Sequence, residues 1–491
     1  MNRLSRCSNC GKLMVLIGLC VCAPLLVLPF YPQDGVHAMS FLVPGGLSVA
    51  AGVILCLVKK RRDTADGWRT SIRHSSLTVL FAWSWGVLLG AAPFVLSRLL
   101  NPVQGAFEAV SGWTTTGLSV MDVSKTPQIF LFYRSFMQYC GGLGFVMMMI
   151  LLISGKESME LYSAEGHPDR IMPNIKHTAQ AIFLVYNVCL VLGTIAYRVA
   201  GMSWFDGICH SMCSLSTGGF STKLNSIGEY HSLSIELITI VLMLIGTTNF
   251  AALLLAATGK FRAFFRVSEV RFMVGLLVVF IPTTAFSLME GLNISYWEGL
   301  RKSAFDVVSA LSTSGYSTMS YAQWPAFAIG VLILMMLIGG GVGSTAGGIK
   351  LSRVYLLLRF ALMHLRERIC PSNSIQCPTY CKASGKEPID ARLIRETAAF
   401  LGAYLVLYTL GTLAMTLTAG CSLTEAMFDF ASSLSTVGLS IGITNPATNS
   451  PTLIVEILGM MLGRLEIFIV LIGVASGFDC LKDWAKKLRK E

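Results

Sequence analysis

Four copies of one six-residue pattern constrain this chain more than any other feature. The pattern is a hydroxyl residue, Thr, any residue, Gly, a bulky apolar residue and Ser, and it occupies residues 114–119, 216–221, 312–317 and 435–440. The copies recur at intervals of about 100 residues, and self-similarity at a regular spacing is typical of repeat architectures. A single Ser/Thr/Gly hexamer is typical of helix packing in membranes. Four registered copies favour an internal repeat over that alternative.

The flanks of the hexamers repeat as well. Phe stands seven residues before copies one, three and four and is followed by an acid, whereas copy two has Cys209 and His210 there. We interpret His210 as a hydrogen-bonded polar residue. About two turns of apolar and small residues then lead to the hexamer, which suits a helix too short to cross a bilayer. Downstream of the hexamers, apolar runs are interrupted at Gly142, Gly246, Gly340 and Gly463. Each unit is therefore predicted as membrane helix, short re-entrant helix, loop and membrane helix.

The composition indicates a membrane protein. Of the 491 residues, 54% are hydrophobic and 13% are charged, and the mean hydropathy is +0.64. These values predict an all-α polytopic membrane protein. Two apolar segments, 13–32 and 38–58, precede the units, and each is long enough to span. The first lacks a clean small-x-small cleavage site, so we expect a helix rather than a signal peptide.

These features predict a division of the chain into an N-terminal part, four repeats in a pseudo-fourfold arrangement around one ion pathway, and two polar segments. The expected bounds are 1–70 for two transmembrane helices and a cytoplasmic loop, 71–155 for repeat one, 176–260 for repeat two, 268–366 for repeat three, 367–390 for a second cytoplasmic loop, 391–481 for repeat four and 482–491 for a basic tail.

The basic residues predict the topology. Of the 38 Lys and Arg residues, 30 fall on one predicted side of the membrane and 7 on the side of the hexamers. By the positive-inside rule, both termini are cytoplasmic and the hexamer loops face outside, which agrees with ten spans. The net charge of +11 therefore reflects topology and does not indicate nucleic-acid binding.

The hexamers offer a cation-binding chemistry. Successive carbonyl oxygens of a Thr-x-Gly loop can replace the water shell of an ion, and Gly accepts the positive φ that turns its carbonyl alongside its neighbours. The short helix before the loop adds a negative C-terminal dipole. No hexamer contains a charge, which favours a monovalent cation. The predicted ion-binding residues are Thr115, Thr116, Gly117, Leu118, Thr217, Gly218, Gly219, Phe220, Thr313, Ser314, Gly315, Tyr316, Thr436, Val437, Gly438 and Leu439.

A glycine-rich segment predicts a gate. Six glycines between Gly339 and Gly348 are incompatible with a stable helix. We interpret the segment as an intramembrane loop that blocks the pathway and moves aside. A tight-packing glycine face is the alternative, but the consecutive glycines do not fit its spacing. Lys350 is either a pore-facing charge or a cytoplasmic anchor. The predicted gating residues are Gly339, Gly340, Gly341, Gly343, Ser344, Thr345, Gly347, Gly348, Lys350 and Arg464.

Arg464 lies within an apolar stretch, 453–474, that we expect to form one helix. An ionisable residue at membrane depth is a functional hypothesis by default. A structural pair with Glu466 is the alternative, but residues two apart face different sides of a helix. Arg464 is therefore predicted to place a positive charge below the loops. The acids Glu236, Glu290 and Glu456 fall near predicted helix ends, and we expect them at the membrane–water interface.

The cysteines leave two interpretations open. Cys7 and Cys10 form a lone Cys-x-x-Cys pair, and a zinc site would need two more ligands. Unpaired thiols in a reducing compartment are the alternative. The candidate additional ligands are Cys370, Cys377 and Cys381.

The chain resembles the Trk/Ktr/HKT superfamily of potassium transporters, and within it the bacterial TrkH/TrkG branch, over roughly residues 13–480. The resemblance rests on the four units and on motifs at 139–144 (YCGGLG), 246–250 (GTTNF), 339–350 (GGGVGSTAGGIK) and 463–468 (GRLEIF). It implies one filter glycine per unit, all four favouring potassium. The serine that sodium-passing plant relatives carry in the first unit is Gly117 here.

The resemblance also implies partners and a location. It predicts a homodimer in the lipid of the bacterial inner membrane, gated by a cytoplasmic TrkA-like subunit that binds nucleotides. This chain has no Gly-x-Gly-x-x-Gly after a strand and no P-loop, so nucleotide control would come from that partner. We expect no cofactor in this chain, with the potassium ion as substrate.

The sequence leaves one functional alternative open. A potassium symporter coupled to protons or sodium fits the same fold, although no chain of buried acids is evident in the sequence. An enzyme is not expected, because the chain lacks His-Glu-x-x-His, a paired-aspartate motif and Gly-x-Ser-x-Gly.

Overall fold

The computed structural model describes residues 9–57, 72–144, 175–369, 378–465 and 467–488. The described chain is almost entirely helical. It begins with α1 (Asn9–Cys22), two 3-10 turns (Ala23–Val27 and Pro32–His37) and α2 (Ala38–Leu57). The two helices pack closely because their glycines face each other, and a Cβ on Gly18 would lie 2.7 Å from the carbonyl oxygen of Gly45.

Four units follow, each with an outer helix, a short helix, a hexamer loop and an inner helix. Unit one comprises α3 (Ile72–Leu96), α4 (Pro102–Trp113) and α5 (Gln128–Leu143). Unit two comprises α6 (Ile175–Val199), α7 (Trp204–Leu215), a 3-10 turn (Ser226–Tyr230), α8 (Leu233–Thr247) and α9 (Phe250–Ala257), and the single turn α10 (Phe261–Phe264) follows it. Unit three comprises α11 (Ser268–Leu292), α12 (Tyr296–Leu311), α13 (Ala326–Ile338) and α14 (Leu351–Ile369). After the strands β1 (Thr379–Lys382) and β2 (Gly385–Pro388), unit four comprises α15 (Ala391–Ala419), α16 (Leu423–Leu434), α17 (Ser450–Arg464) and α18 (Ile467–Leu488).

The short helix of every unit ends at the residue before its hexamer. Three of these helices, α4, α7 and α16, have 12 residues and α12 has 16. At a rise of 1.5 Å per residue, a 12-residue helix reaches about 18 Å, which is shorter than the ~30 Å apolar layer of a bilayer. Polar side chains cap their first turns, at Asn101, Ser203, Ser295 and Ser422. Because each helix ends directly before its hexamer, the C-terminal end of its dipole lies at the loop.

The inner helices break close to the glycines that interrupt their apolar runs. The chain bends by 117° between α8 and α9 in unit two, and by 105° between α17 and α18 in unit four. The expected continuous helix over 453–474 is therefore wrong. The chain turns after Arg464, where the neighbouring Gly463 lies so close to the carbonyl oxygen of Leu434 that a side chain would collide with it. In unit three, residues 339–350 separate α13 from α14.

A β-hairpin lies within the segment 367–390, which was expected to be a cytoplasmic loop. The antiparallel strands β1 and β2 pair Thr379 with Pro388 and Lys382 with Gly385. The backbone N–H of Cys381 donates to Ser268 Oγ at 3.0 Å, which attaches the hairpin to the start of α11.

The helices identify a multi-pass membrane protein. Among the described residues, six helices are long and apolar enough to cross a membrane, or eight when each bent pair is counted as one span. The inner helices α5 and α13 are shorter, with 16 and 13 residues. Large apolar side chains such as Leu47 and Val278 are two-thirds exposed on the outside of the bundle, as expected for contact with lipid.

Candidate functional site

The four hexamer loops meet in a closed ring. At each junction, the glycine of one loop lies so close to a carbonyl oxygen of the next that an added Cβ would collide with it. The order around the ring follows the chain, and loop four closes on loop one. The four contacts are Gly117 with Gly218, Gly219 with Ser314, Gly315 with Val437, and Gly438 with Thr116. The structure therefore brings all four predicted loops together through their backbones.

One backbone conformation recurs in the four loops. The second hexamer residue is a threonine with φ between 52° and 56°, and the glycine two residues later has φ between 73° and 99°. In loop one, Thr115 N donates to Gly112 O at 3.2 Å and Thr116 N donates to Ser111 O at 2.9 Å. Equivalent bonds close the other three turns, which are Schellman motifs with a β-branched residue where glycine is usual. Strain kept at the same place four times indicates a functional constraint.

The bulky residue of each hexamer holds its loop to the protein interior. These four side chains are at most 2% exposed and belong to the apolar clusters of the bundle, namely Leu118, Phe220, Tyr316 and Leu439. The Tyr316 hydroxyl also donates to the carbonyl oxygen of Phe220 in the neighbouring loop at 3.3 Å. The apolar side chains thus point away from the ring and leave the backbone as its lining.

A polar side chain of each short helix secures the far end of the loop. In unit one, Glu108 accepts hydrogen bonds from Ser119 Oγ at 2.6 Å and from Val120 N at 2.7 Å. His210 is fully buried, and Asp206 O lies 2.8 Å from its Nδ1. In units two and four the equivalent pairs are His210 with Ser221 at 3.0 Å and Asp429 with Ser440 at 2.7 Å. In unit three Asp306 bonds Thr318, the residue after the hexamer, at 2.7 Å. His210 is therefore the hydrogen-bonded polar residue that we expected.

The glycine-rich segment 339–350 lies against the ring. Thr345 Oγ1 is 3.1 Å from Thr217 Oγ1 of loop two, and Gly347 N donates to Thr313 Oγ1 of loop three at 2.8 Å. A Cβ on Gly347 would collide with the carbonyl oxygen of Ser435 in unit four. The segment is not helical, and it touches the strained threonine positions of the loops.

The same segment is fastened to the break in the inner helix of unit two. Gly341 N donates to Thr247 O at 2.9 Å, and Phe250 N donates to Gly343 O at 3.1 Å. Asn249, the N-cap residue of α9, donates from Nδ2 to Val342 O at 2.6 Å. These polar contacts hold the segment 339–350 in place, and we call it the glycine loop.

Two basic side chains bind the glycine loop. Arg464 donates from Nη1 to Thr345 O at 2.7 Å and from Nη2 to Gly141 O, in unit one, at 2.6 Å. Lys350 closes the loop with φ of 86°, and its ammonium group donates to Ala346 O. Glu466 lies outside the described residues. Arg464 thus joins units one, three and four through backbone carbonyl groups.

Comparison with known proteins identifies the family. The TrkH family, described as a cation transport protein, matches residues 48–478. This chain belongs to the TrkH family. Its relatives include the Trk system potassium uptake protein TrkH of Halomonas elongata, 30% identical over 95% of this chain and 97% of that protein. The TrkH family is a transport family, so the chain is a transporter and not an enzyme.

The proteins similar to this TrkH family member include an archaeal relative and one of known crystal structure. An uncharacterized cation transporter of Methanocaldococcus jannaschii is 28% identical over 95% of this chain and 94% of that protein. The crystal structure of the potassium transporter TrkH from Vibrio parahaemolyticus superposes with a TM-score of 0.82 at 27% identity. That match covers 96% of this chain and 98% of the other.

Sequence reasoning missed two buried charged residues of the inner helices. Arg134 lies in the second turn of α5, where it is 2% exposed and its Nε donates to Glu108 Oε2 at 3.1 Å. Glu456 was predicted at the interface, but it is fully buried and accepts from Thr444 Oγ1 at 2.7 Å. Each stands seven residues before a glycine that packs on the end of a short helix, Gly141 or Gly463. This shared spacing is the sequence signal that could have predicted the burial of both residues.

The other two acids differ from each other. Glu236 is 6% exposed and forms a two-pronged ion pair with Arg301, with distances of 2.7 and 2.8 Å. Glu290 is exposed near the end of α11. Glu236 of unit two thus pairs with a charge of unit three, and the interfacial assignment of Glu236 and Glu290 stays a prediction.

The zinc hypothesis gains no support from the described residues. Within them, no group of three or more His, Cys, Asp or Glu side chains is arranged to hold a metal ion. Cys10 and Cys381 are half-buried free thiols. The other cysteines of the hypothesis, Cys7, Cys370 and Cys377, lie outside the described residues.

Proposed function

We propose that this chain carries potassium into the cell through the ring of four hexamer loops. The observation that supports this most directly is the closed contact of four uncharged Thr-x-Gly backbones in one cyclic order. Relatives named as potassium uptake proteins along nearly the whole chain support the choice of ion. The potassium ion is the substrate, and no cofactor takes part.

The proposed filter binds the ion through backbone dipoles. Each loop offers the carbonyl groups of its Thr-x-Gly-bulky residues, and the positive φ at Thr and Gly orients successive peptide groups. The C-terminal ends of the four short helices add partial negative charge. A ring without carboxylates favours a monovalent ion, because it offsets the loss of hydration without a full charge.

The proposed gate is the glycine loop. It contacts the threonines of loops two and three, so an ion leaving the ring meets it next. Arg464 adds a positive charge at the same place and holds the loop closed through Thr345 O. Opening requires these polar contacts to break, which a partner protein would favour by binding the open form more tightly.

The setting of the transporter completes the proposal. Both termini lie in the cytoplasm of a bacterial cell, the loops face outward, and the protein is embedded in inner-membrane lipid. Four repeats with the predicted bounds surround one pathway in pseudo-fourfold order. Two copies of the chain form a homodimer, and a cytoplasmic TrkA-like subunit that binds nucleotides controls the gate.

Rubidium uptake into proteoliposomes tests the proposal. With the chain alone in the vesicles, we expect uptake that external potassium suppresses at far lower concentration than sodium does and that ignores an imposed pH gradient. Equal suppression by both ions would contradict the filter assignment. If the closed gate prevents uptake, the variants of Arg464 and Thr345 described below provide an open form for the same measurement.

A proton-coupled symporter is the second candidate, and one observation favours it. Glu456 is fully buried beside Asp429 of the short helix in unit four, and its Oε2 has no hydrogen-bond partner among the described residues. Two neighbouring buried carboxyl groups favour sharing a proton. Uptake that follows the pH gradient, and that loses this dependence in Glu456→Gln, would support coupling; uptake that ignores the gradient in both proteins would contradict it.

A further inference from the structure

Loop two of the ring is held by a side chain from another unit. Gln138 is fully buried on α5, the inner helix of unit one. Its Nε2 donates to Gly218 O at 2.5 Å, and its Oε1 accepts from Phe220 N at 3.0 Å. The two bonds lie on either side of Gly219, so one amide group fixes both ends of that residue.

The described residues form no such clamp at the other three loops. The carbonyl groups equivalent to that of Gly218 are those of Thr116, Ser314 and Val437, and no described side chain donates a hydrogen bond to any of them. In two of these loops the middle residue carries a hydroxyl that bonds within its own hexamer. Thr116 and Thr114 share a hydrogen bond of 2.7 Å, and Ser314 accepts one from Ser312 at 2.9 Å. Loop two is therefore distinct in how its middle peptide is restrained.

The sequence of loop two explains why it needs the clamp. Gly218 and Gly219 are consecutive, and glycine has the greatest backbone freedom of any residue. A side chain at position 218 is also excluded, because a Cβ there would collide with the amide of Gln138. The space that a hydroxyl side chain occupies in loop three is thus taken by Gln138 in loop two.

A second residue of the same helix face strengthens the contact. Arg134 stands four residues before Gln138, one helical turn away, and its guanidinium carbon lies 4.0 Å from the centre of the Phe220 ring. The guanidinium is itself fixed by Glu108 and by Ser119 Oγ at 2.7 Å. Helix α5 therefore positions two loops at once, its own through Ser119 and the next through Phe220 and Gly218.

We propose that Gln138 is a positioning residue that determines ion specificity, by holding the Gly218 carbonyl at a fixed place in the ring. This inference rests on the proposed function of the ring as a potassium filter. Selective coordination depends on carbonyl groups that stay at the distance suited to potassium. Releasing the Gly218–Gly219 peptide lets its oxygen approach a smaller ion, so sodium gains relative to potassium.

Three substitutions test the role of Gln138 through the ratio of sodium to potassium concentrations that half-inhibit rubidium uptake. Gln138→Met removes both bonds at nearly constant volume, and we expect it to lower the ratio about fivefold. Gln138→Glu keeps an acceptor for Phe220 N but loses the donor to Gly218, so the ratio should fall as well. The control is Ser135→Ala, a buried change on the same helix that removes the bond to Leu131 O and leaves Gln138 in place.

A double variant separates positioning from general damage. Gln138→Ala together with Gly218→Ser gives loop two the Thr-Ser-Gly sequence of loop three, with Ser216 standing where Ser312 partners Ser314. We expect this pair to recover most of the ratio that Gln138→Ala alone loses. A merely structural role for Gln138 would not produce this recovery, because the double variant removes more native contacts than the single one.

The outcomes separate this inference from the function on which it rests. A potassium preference that stays unchanged in Gln138→Met and Gln138→Glu overturns the inference alone. The same holds if Ser135→Ala lowers the ratio as much as the Gln138 variants do. Equal inhibition by sodium and potassium in the unaltered protein overturns the proposed filter, and the inference with it.

Discussion

Arg464 Nη1 donates a hydrogen bond to the carbonyl oxygen of Thr345 at 2.7 Å and so joins the turn between α17 and α18 to the glycine loop. The same guanidinium bonds Gly141 O at the end of α5. Hydrogen bonds from a charged donor such as this guanidinium are stronger than those from a neutral donor. Arg464 therefore connects three units through these two hydrogen bonds. Its positive charge lies against the glycine loop, which contacts the ring.

Removing the guanidinium of Arg464 should open the pathway. We expect Arg464→Met to raise rubidium uptake of the chain alone by about tenfold, because charge-assisted hydrogen bonds contribute roughly 1.5–3 kcal/mol each. Uptake into proteoliposomes at equal protein content measures the effect. Arg392→Gln is the control, since Arg392 pairs with Glu396 on an exposed helix surface. Uptake that falls in Arg464→Met would show that the guanidinium assists conduction rather than restricting it.

Removing the hydrogen bonds of the Thr345 hydroxyl should also raise rubidium uptake, because they hold the glycine loop as well. Thr345→Val keeps the shape of the side chain but removes the hydroxyl that donates to Gly246 O at 2.9 Å and lies near Thr217 Oγ1. We expect uptake to rise severalfold, by less than for Arg464→Met, because the lost bond is neutral. Thr283→Val, on an exposed helix face, is the matched control. If the two valine variants behave alike, the hydroxyl of Thr345 does not restrain the loop.

The ring itself should tolerate no side chain at its glycines. In Gly219→Ser, the new Cβ collides with the carbonyl oxygen of Ser314, and φ of 73° adds backbone strain. We expect the preference for potassium over sodium, measured by competition with rubidium uptake, to fall at least tenfold. Gly201→Ser separates the two causes, because Gly201 also has positive φ, 105°, but has open space around it. A similar loss in both variants would assign the effect to strain and not to the ring.

The structural elements that depend on local sequence patterns could be predicted from the sequence. The hexamers, their short helices and the non-helical glycine loop follow from glycine spacing and apolar runs. The αL conformation of four threonines did not follow, since β-branched residues disfavour positive φ and adopt it here under restraints from the short helix. The depth of Glu456 and the partner of Arg134 depend on helices distant in sequence, so only the assembled bundle defines them. The β-hairpin was missed because two four-residue strands leave little periodicity to detect.

The buried pair of Arg134 and Glu108 should dominate the stability of unit one. Both side chains are at most 2% exposed, so Arg134→Met leaves Glu108 as an unpaired buried charge, and breaking such a pair costs about 3–5 kcal/mol. We therefore expect a clear loss of stability in detergent, measured by thermal unfolding. Adding Glu108→Gln to Arg134→Met removes the unpaired charge and keeps an acceptor for Ser119 Oγ, so the double variant should be more stable than Arg134→Met alone. A double variant that is less stable than the single one would show that the carboxylate is satisfied by Ser119 and Val120 N without its arginine.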